Sequence, residues 1–298
     1  MDSSGFLTTA VVTAASAACI GFLTLAAERR LRKTFVDVEE TAMDRAAQDM
    51  ALQSYYEGGK RPHRRNADDL MLGSGRALAQ EIRGCFEGIN EVGRGIVYFG
   101  SARFEPGSEL YEKGKALAKS VAELLKVPAW SGGGKGMMGA VTHGCREAGY
   151  PVGAVRISRE ASDCPGKAPP GDNPLHACTV FCQFMASRKI GLTDAGMRVM
   201  EDDKTAFIAL PGGIGTLDET IEILVLQQLN KLGTNYEVPV ILMNYKVKGS
   251  DKGYWDGIMK WMDSSEKVGA LKKTELSGLK VCDTNEEAVK FLKNFYKV

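Results

Sequence analysis

From residue 95 onward, short apolar runs alternate with longer amphipathic segments, and glycine-rich turns separate several of them. Runs read as strands fall at 96–99, 127–130, 152–157, 205–210, 238–243 and 279–282. Segments with helical apolar spacing fall at 110–125, 137–148, 184–200, 217–229, 254–262 and 286–295. A helix between successive strands brings the chain back to start the next strand in the same direction, and unbroken apolar runs suit strands buried on both faces. The predicted fold is α/β, a doubly wound Rossmann-like parallel sheet over residues 95–298. Ligands of such sheets bind at the carboxyl ends of strands, which is where the glycine turns fall.

The most informative turn is Pro211-Gly-Gly-Ile-Gly-Thr-Leu-Asp-Glu219. Gly212, Gly213 and Gly215 leave bare backbone amides at a helix N-terminus, a natural place for a phosphate. Thr216 adds a hydroxyl donor, and Glu219 follows about one helical turn later. A second turn, Ser131-Gly-Gly-Gly-Lys-Gly-Met-Met-Gly139, holds Gly132, Gly133, Gly134 and Gly136. Its Gly134-x-Gly136-x-x-Gly139 spacing matches the dinucleotide fingerprint, with Glu160 as the nearest acid after the next strand. An earlier strand precedes it, and a second glycine turn exceeds what one pyrophosphate needs, so a nicotinamide-linked oxidoreductase is disfavoured. No Gly-Lys-Ser/Thr ends the run, which excludes a Walker-type loop. Tight packing is the rival reading for each glycine turn. Arg188 and Lys189 open the segment 184–200 close to the same sheet edge, and Ser101 and Arg103 follow the first strand within reach of a ligand.

A formal net charge of +1 gives no electrostatic case for nucleic acid. Seven cysteines are scattered without a disulfide framework, which suits a reducing compartment. His176, Cys178 and Cys182 lack a fourth ligand for zinc, so no metal is expected.

The N-terminus is different in kind. Residues 3–27 carry no charge, and Arg29, Arg30, Arg32 and Lys33 follow. A helix of about 22 residues extends about 33 Å, enough for a bilayer core. The expectation is a single transmembrane helix, with the rest of the chain on the cytosolic, stromal or matrix side; the alternative, since Thr and Ala are poor membrane residues, is a weakly apolar presequence or a buried helix. Positive charge is missing before the run, which argues against a cleaved secretory signal. Residues 1–33 thus read as anchor and basic flank, and 34–94 as a helical extension: a polar helix over 28–57, a basic loop at 58–65 and another helix over 68–89.

Taken together, the turns resemble one family. Residues 211–219 match the PGGxGTxxE motif of the LOG (LONELY GUY) family, long labelled lysine decarboxylases. Residues 132–139 look like its triple-glycine turn, 185–189 like its Arg-Lys helix and 99–103 like its FGSAR turn. The resemblance covers about residues 95–298. It implies a phosphoribohydrolase acting on nucleoside 5′-monophosphates, cytokinin ribotides included, working as a dimer or higher oligomer without cofactor or metal. Carried over residue by residue, the catalytic pair is Arg188 and Glu219. Phosphate and nucleotide binding fall on Ser101, Gly132, Gly133, Gly134, Gly136, Lys189, Gly212, Gly213, Gly215 and Thr216. A carboxylate suits the oxocarbenium character that develops when a ribose N-glycosidic bond breaks. Nothing in these motifs looks like a pyridoxal-phosphate lysine site.

Departures bear on specificity. Plant-type members read His-Glu-Arg-Lys, whereas Ala186 and Ser187 precede Arg188 here. The family's Trp-x-Gln-Leu-Gly stretch is Leu226-Gln-Gln228-Leu-Asn230, and the loop 158–174 is long and rich in Pro and Gly. The alternative expectation is a non-catalytic nucleotide-binding or architectural subunit of a membrane assembly.

Overall fold

The computed structural model describes residues 67–157, 173–247, 249, 251–276 and 278–298. In chain order these form α1 (Ala67–Val92), β1 (Ile96–Phe99), α2 (Glu109–Leu125), β2 (Ala129–Ser131), α3 (Met137–Glu147), β3 (Val152–Ile157), β4 (Cys178–Cys182) and α4 (Met185–Ala195). Then come β5 (Ala206–Ala209), α5 (Ile214–Gln228), β6 (Val240–Met243), α6 (Asp256–Lys267), a 3-10 turn (Lys273–Leu276), β7 (Leu279–Cys282) and α7 (Asn285–Tyr296).

The seven strands pair in parallel in the order β4-β3-β2-β1-β5-β6-β7. Side chains alternate along each strand, so the sheet feeds two separate cores. Ile96 and Tyr98 of β1 and Ile208 of β5 meet Leu117, Val121, Met137, Val141 and Leu292, from α2, α3 and α7. Val97, Phe99 and Phe207 point the other way, into Cys85, Ile89, Leu192, Ile223, Leu224 and Met262 of α1, α4, α5 and α6. Helices thus cover both faces, the doubly wound Rossmann-like arrangement that the strand–helix rhythm predicts.

Several element boundaries differ from the sequence reading. β4 is an added strand, at the sheet edge, with only Cys182 fully buried. Helix α4 stops at Ala195 instead of running to residue 200, because the chain turns at Gly196, where a Cβ would lie 2.5 Å from the Phe207 ring. Asp203 then holds the amides of Val199 and Met200 in a turn. Gly75–Val298 form one compact unit, so most of α1 belongs with the sheet, where the sequence placed the boundary at residue 95. Gly88 of α1 lies so close to β4 that a Cβ would meet Cys178 Sγ at 2.8 Å. The apolar segment 6–27 lies outside the described residues; among those described, no helix is long and apolar enough to cross a membrane.

Burial pushes the thiols of Cys145 and Cys282 up to about 11 from an ordinary 9.0. The unfolded chain therefore loses these protons first as pH rises, and folding stability falls between about pH 9 and 11. Below the unfolded value the contribution is complete. In urea titrations under reducing conditions the midpoint is expected to drop from about pH 8 to about pH 10.5, and Cys145→Ala with Cys282→Ala should shrink that drop.

Candidate functional site

Strand β1 lies between β2 and β5, and the chain winds outward from it in opposite directions. At such a switch point, the turns leaving the two central strands diverge and open a crevice at their carboxyl ends. Backbone bonds tie the turns together there. Ser101 N donates to Pro211 O at 3.2 Å, Leu210 N to Phe99 O at 2.8 Å, and Met137 N to Ser101 O at 2.8 Å. Ser101 Oγ accepts from Arg103 N at 3.2 Å, and Arg103 itself is exposed. Tyr254 Oη donates to Gly212 O at 2.8 Å, anchoring the other side of the turn. Ser101 thus sits where the turns after β1 and β5 meet the start of α3.

The glycines divide into two kinds. Some are required by the fold itself. Gly136, at φ 64° before α3, lies where a Cβ would meet Ser101 O at 2.4 Å. Gly132 lies under Arg188, and a Cβ there would be 2.1 Å from the Arg188 Nη2 atom. Gly133 packs on Ala154 and Arg156, and Gly212 on Thr216. Gly134 is half-buried. Gly213 and Gly215 are of the other kind: exposed, with φ in the ordinary range and nothing within 4 Å of where a Cβ would stand. They begin α5, whose N-terminus has no side-chain cap.

Helix α5 starts at Ile214, three residues earlier than its periodicity suggests, and presents Thr216, Glu219, Thr220, Ile223 and Leu224 inward. The sequence favours an inward stripe of Ile221, Leu224, Val225 and Leu229, yet Val225 and Leu229 are 41% and 57% exposed. The helix therefore spends a core position on a carboxylate. Glu219 Oε1 lies 3.1 Å from Arg188 Nη2, and the two side chains are only 8% and 11% exposed. Desolvating both charges costs several kcal/mol, and a well-packed apolar pair is often at least as stable, so stability does not explain this pair. Arg188 Nε is also a buried donor with no hydrogen-bond acceptor among the described residues.

Lys189 is turned elsewhere, 3.4 Å from Asp218 Oδ1 and 3.2 Å from Glu222 Oε2. Burial alone would lower its pKa; the two carboxylates outweigh burial and raise it. The site brings together Ser101, the two glycine turns, Thr216, Arg188 and Glu219, while Lys189 is engaged in ion pairs on the outer side of α5. Three neighbours escaped sequence reasoning: Tyr254, Arg156 and Glu81. Arg156 ends buried with its guanidinium 5.8 Å from the centre of the Phe181 ring. Glu81 belongs to α1 and reaches the start of α4. The His176 ring lies near the hydroxyls of Thr142 and Thr179, and no metal-type cluster occurs among the described residues. A cleft of about 500 Å³ between Gln227, Asn230, Tyr236 and Glu275 adjoins the amino ends of β6 and β7, away from the crevice.

The family model described as possible lysine decarboxylase matches residues 138–292. A cytokinin riboside 5′-monophosphate phosphoribohydrolase of Mycobacterium marinum is 28% identical over 204 residues, covering 67% of this chain and 94% of that protein. The corresponding LOG enzyme of Oryza sativa subsp. japonica is 30% identical over 179 residues, covering 59% and 62%. Among solved structures, the molybdenum cofactor carrier protein of Chlamydomonas reinhardtii aligns with 69% of this chain and 99% of its own, at 14% identity and a TM-score of 0.44.

Proposed function

The chain belongs to the LOG family, whose model carries the description possible lysine decarboxylase, and from that premise we propose that it hydrolyses a nucleoside 5′-monophosphate to free base and ribose 5-phosphate. The observation that carries this reading is the buried Arg188–Glu219 pair beside an uncapped helix start. The amides around Gly213 and Gly215 receive the 5′-phosphate, and their bare Cα atoms let it approach the backbone. Thr216 and Ser101 complete that end of the site, with the turn at 132–136 along its edge.

The phosphate places the ribose about one helical turn into α5, against Glu219. As the N-glycosidic bond breaks, its electrons leave with the base and C1′ gains positive character. The Glu219 carboxylate stabilises that charge and orients the attacking water or a ribose hydroxyl. Water adds its oxygen to C1′; one of its protons stays on the new hydroxyl and the other goes to the departing base. Arg188 holds the substrate and pairs with Glu219; its Nε–H offers a further bond to a substrate oxygen.

The full chain should be incubated with AMP and other ribotides, following base and ribose 5-phosphate. Equimolar release is the expected result. Nucleotide binding with no release from any ribotide would overturn the hydrolase reading in favour of a non-catalytic nucleotide-binding subunit. As part of the same proposal, residues 1–33 anchor the enzyme, as a homodimer or within a larger membrane assembly, with the site on the cytosolic, stromal or matrix side. The support is the charge-free run 3–27 and the basic cluster after it. Alkaline carbonate extraction is expected to leave the chain with the membranes; its recovery in the supernatant rejects the anchor.

A further inference from the structure

Helix α4 carries Arg188 in its first turn but begins without a side-chain cap of its own, since Phe184 occupies the N-cap position. Its first amides need acceptors, and the positive end of its dipole favours an anion. Both come from α1. Glu81 Oε1 accepts from Gln183 N at 2.8 Å, and Glu81 Oε2 from Phe184 N at 3.2 Å and from Ser187 Oγ at 2.5 Å. One carboxylate therefore clasps the start of α4 at three points, each a charge-assisted bond. Ser187 directly precedes Arg188, at the position where the plant-type motif carries Glu.

The clasp continues one turn along α1. Cys85 Sγ lies 3.8 Å from Cys182 Sγ and 3.9 Å from Ser187 O, and a Cβ at Gly191 of α4 would meet Cys85 at 2.6 Å. The start of α4 is thus held against α1 at Ser187 and Gly191. Rotation matters for Arg188: its guanidinium fits between Gly132 and Glu219 with no slack on the glycine side. A roll of about 10° moves a group about 8 Å from a helix axis by about 1.4 Å, enough to break that fit. Glu81 lies 106 residues before Ser187 and outside the 138–292 stretch that the family model matches.

We propose that Glu81 is a positioning residue for the site, which caps α4 from a neighbouring helix and sets the orientation of Arg188 toward Glu219. The proposal rests on the hydrolase reading for its catalytic consequence. Its test compares the full-length protein with Glu81→Gln and Ser187→Ala, and with Glu87→Gln, an exposed carboxylate on the same helix. Glutamine keeps the shape but loses the charge and one acceptor. For Glu81→Gln, well below its melting temperature, kcat per folded molecule is expected to fall about 10- to 100-fold with KM within about twofold. Ser187→Ala should fall between Glu81→Gln and the wild type, and add little when combined with Glu81→Gln, because both act on one network. Glu87→Gln should match the wild type. In nitrogen-15 spectra the Arg188 Nε–H resonance, assigned with Arg188→Lys, should move in Glu81→Gln and stay in place in Glu87→Gln. A wild-type kcat in Glu81→Gln, or a loss accounted for by its unfolded fraction, overturns the proposal. If the wild type itself turns over no ribotide, the hydrolase reading fails separately, and the resonance decides for Glu81: an unmoved signal overturns the positioning role and a moved one upholds it.

Discussion

Under the proposed mechanism, replacing Glu219 by Gln is expected to lower kcat for ribotide hydrolysis by about 10²- to 10³-fold, the usual scale for removing one group that stabilises developing charge. Glutamine has nearly the volume of glutamate and keeps an acceptor for Arg188, so the packing of the α5 stripe with Thr216, Thr220 and Ile223 is preserved. The charge is what disappears. The oxocarbenium-like centre loses its counter-charge, and Arg188, only 11% exposed, keeps its own charge without one. Removing one partner of a buried pair outright costs about 3–5 kcal/mol; the retained amide oxygen should limit the loss to less than that. Kinetics and thermal melting on the same preparation separate the two effects. Full turnover by Glu219→Gln would show that this carboxylate is not the catalytic one.

The second large effect comes from a single methyl group. Gly132→Ala puts a carbon 2.1 Å from Arg188 Nη2 and 2.8 Å from Met138 Sδ, well inside contact distance. The thioether end of Met138 is flexible and can shift; the guanidinium, held by Glu219, does so only by leaving its place. Activity is expected to fall by about 100-fold or more, as for a catalytic group displaced by about 1 Å, with about 1–3 kcal/mol of stability lost to overpacking. Gly215→Ala is the informative contrast. Nothing lies within 4 Å of a Cβ there and the position is helical, so the fold should tolerate alanine or gain up to about 1 kcal/mol. Under the proposed phosphate placement, however, KM should rise because the new methyl group stands where the phosphate meets the backbone. Alanine at 215 with unchanged KM would move the phosphate elsewhere. Gly132→Ala with wild-type kcat would show that the position of Arg188 does not matter to the chemistry.

The two glycine turns illustrate what a sequence discloses and what it withholds. Their place at the ends of β2 and β5 was legible, because buried parallel strands are written as apolar runs that stop at glycine. What each glycine does was not. Gly132 and Gly136 answer to Arg188 and to Ser101, contacts made across the sheet, whereas Gly213 and Gly215 answer to nothing in the described residues. β4 was missed for a related reason: its sequence, Cys-Thr-Val-Phe-Cys, lies at a sheet edge and is mostly half-exposed, so it carries neither an unbroken apolar run nor a clear alternation. On α5, hydrophobicity pointed to Val225 and Leu229, and the real inward stripe begins with Thr216 and Glu219. Periodicity fails at such a helix because hydroxyls and an ion-paired carboxylate occupy core positions. Glu81 left no local trace, since its three partners lie about a hundred residues away.

That distance has a consequence for how activity arises as the chain folds. Arg188 needs α1 behind it, β2's turn beneath it and α5 across from it, and no two of these are neighbours in sequence. Each contact closes a long loop, and long-range contacts of this kind form late. A chain that has formed its helices and part of its sheet will hold all the residues of the site and none of its geometry. In a refolding reaction, hydrolysis should therefore lag behind helix content and core burial, and mark the moment when the last crossover has docked.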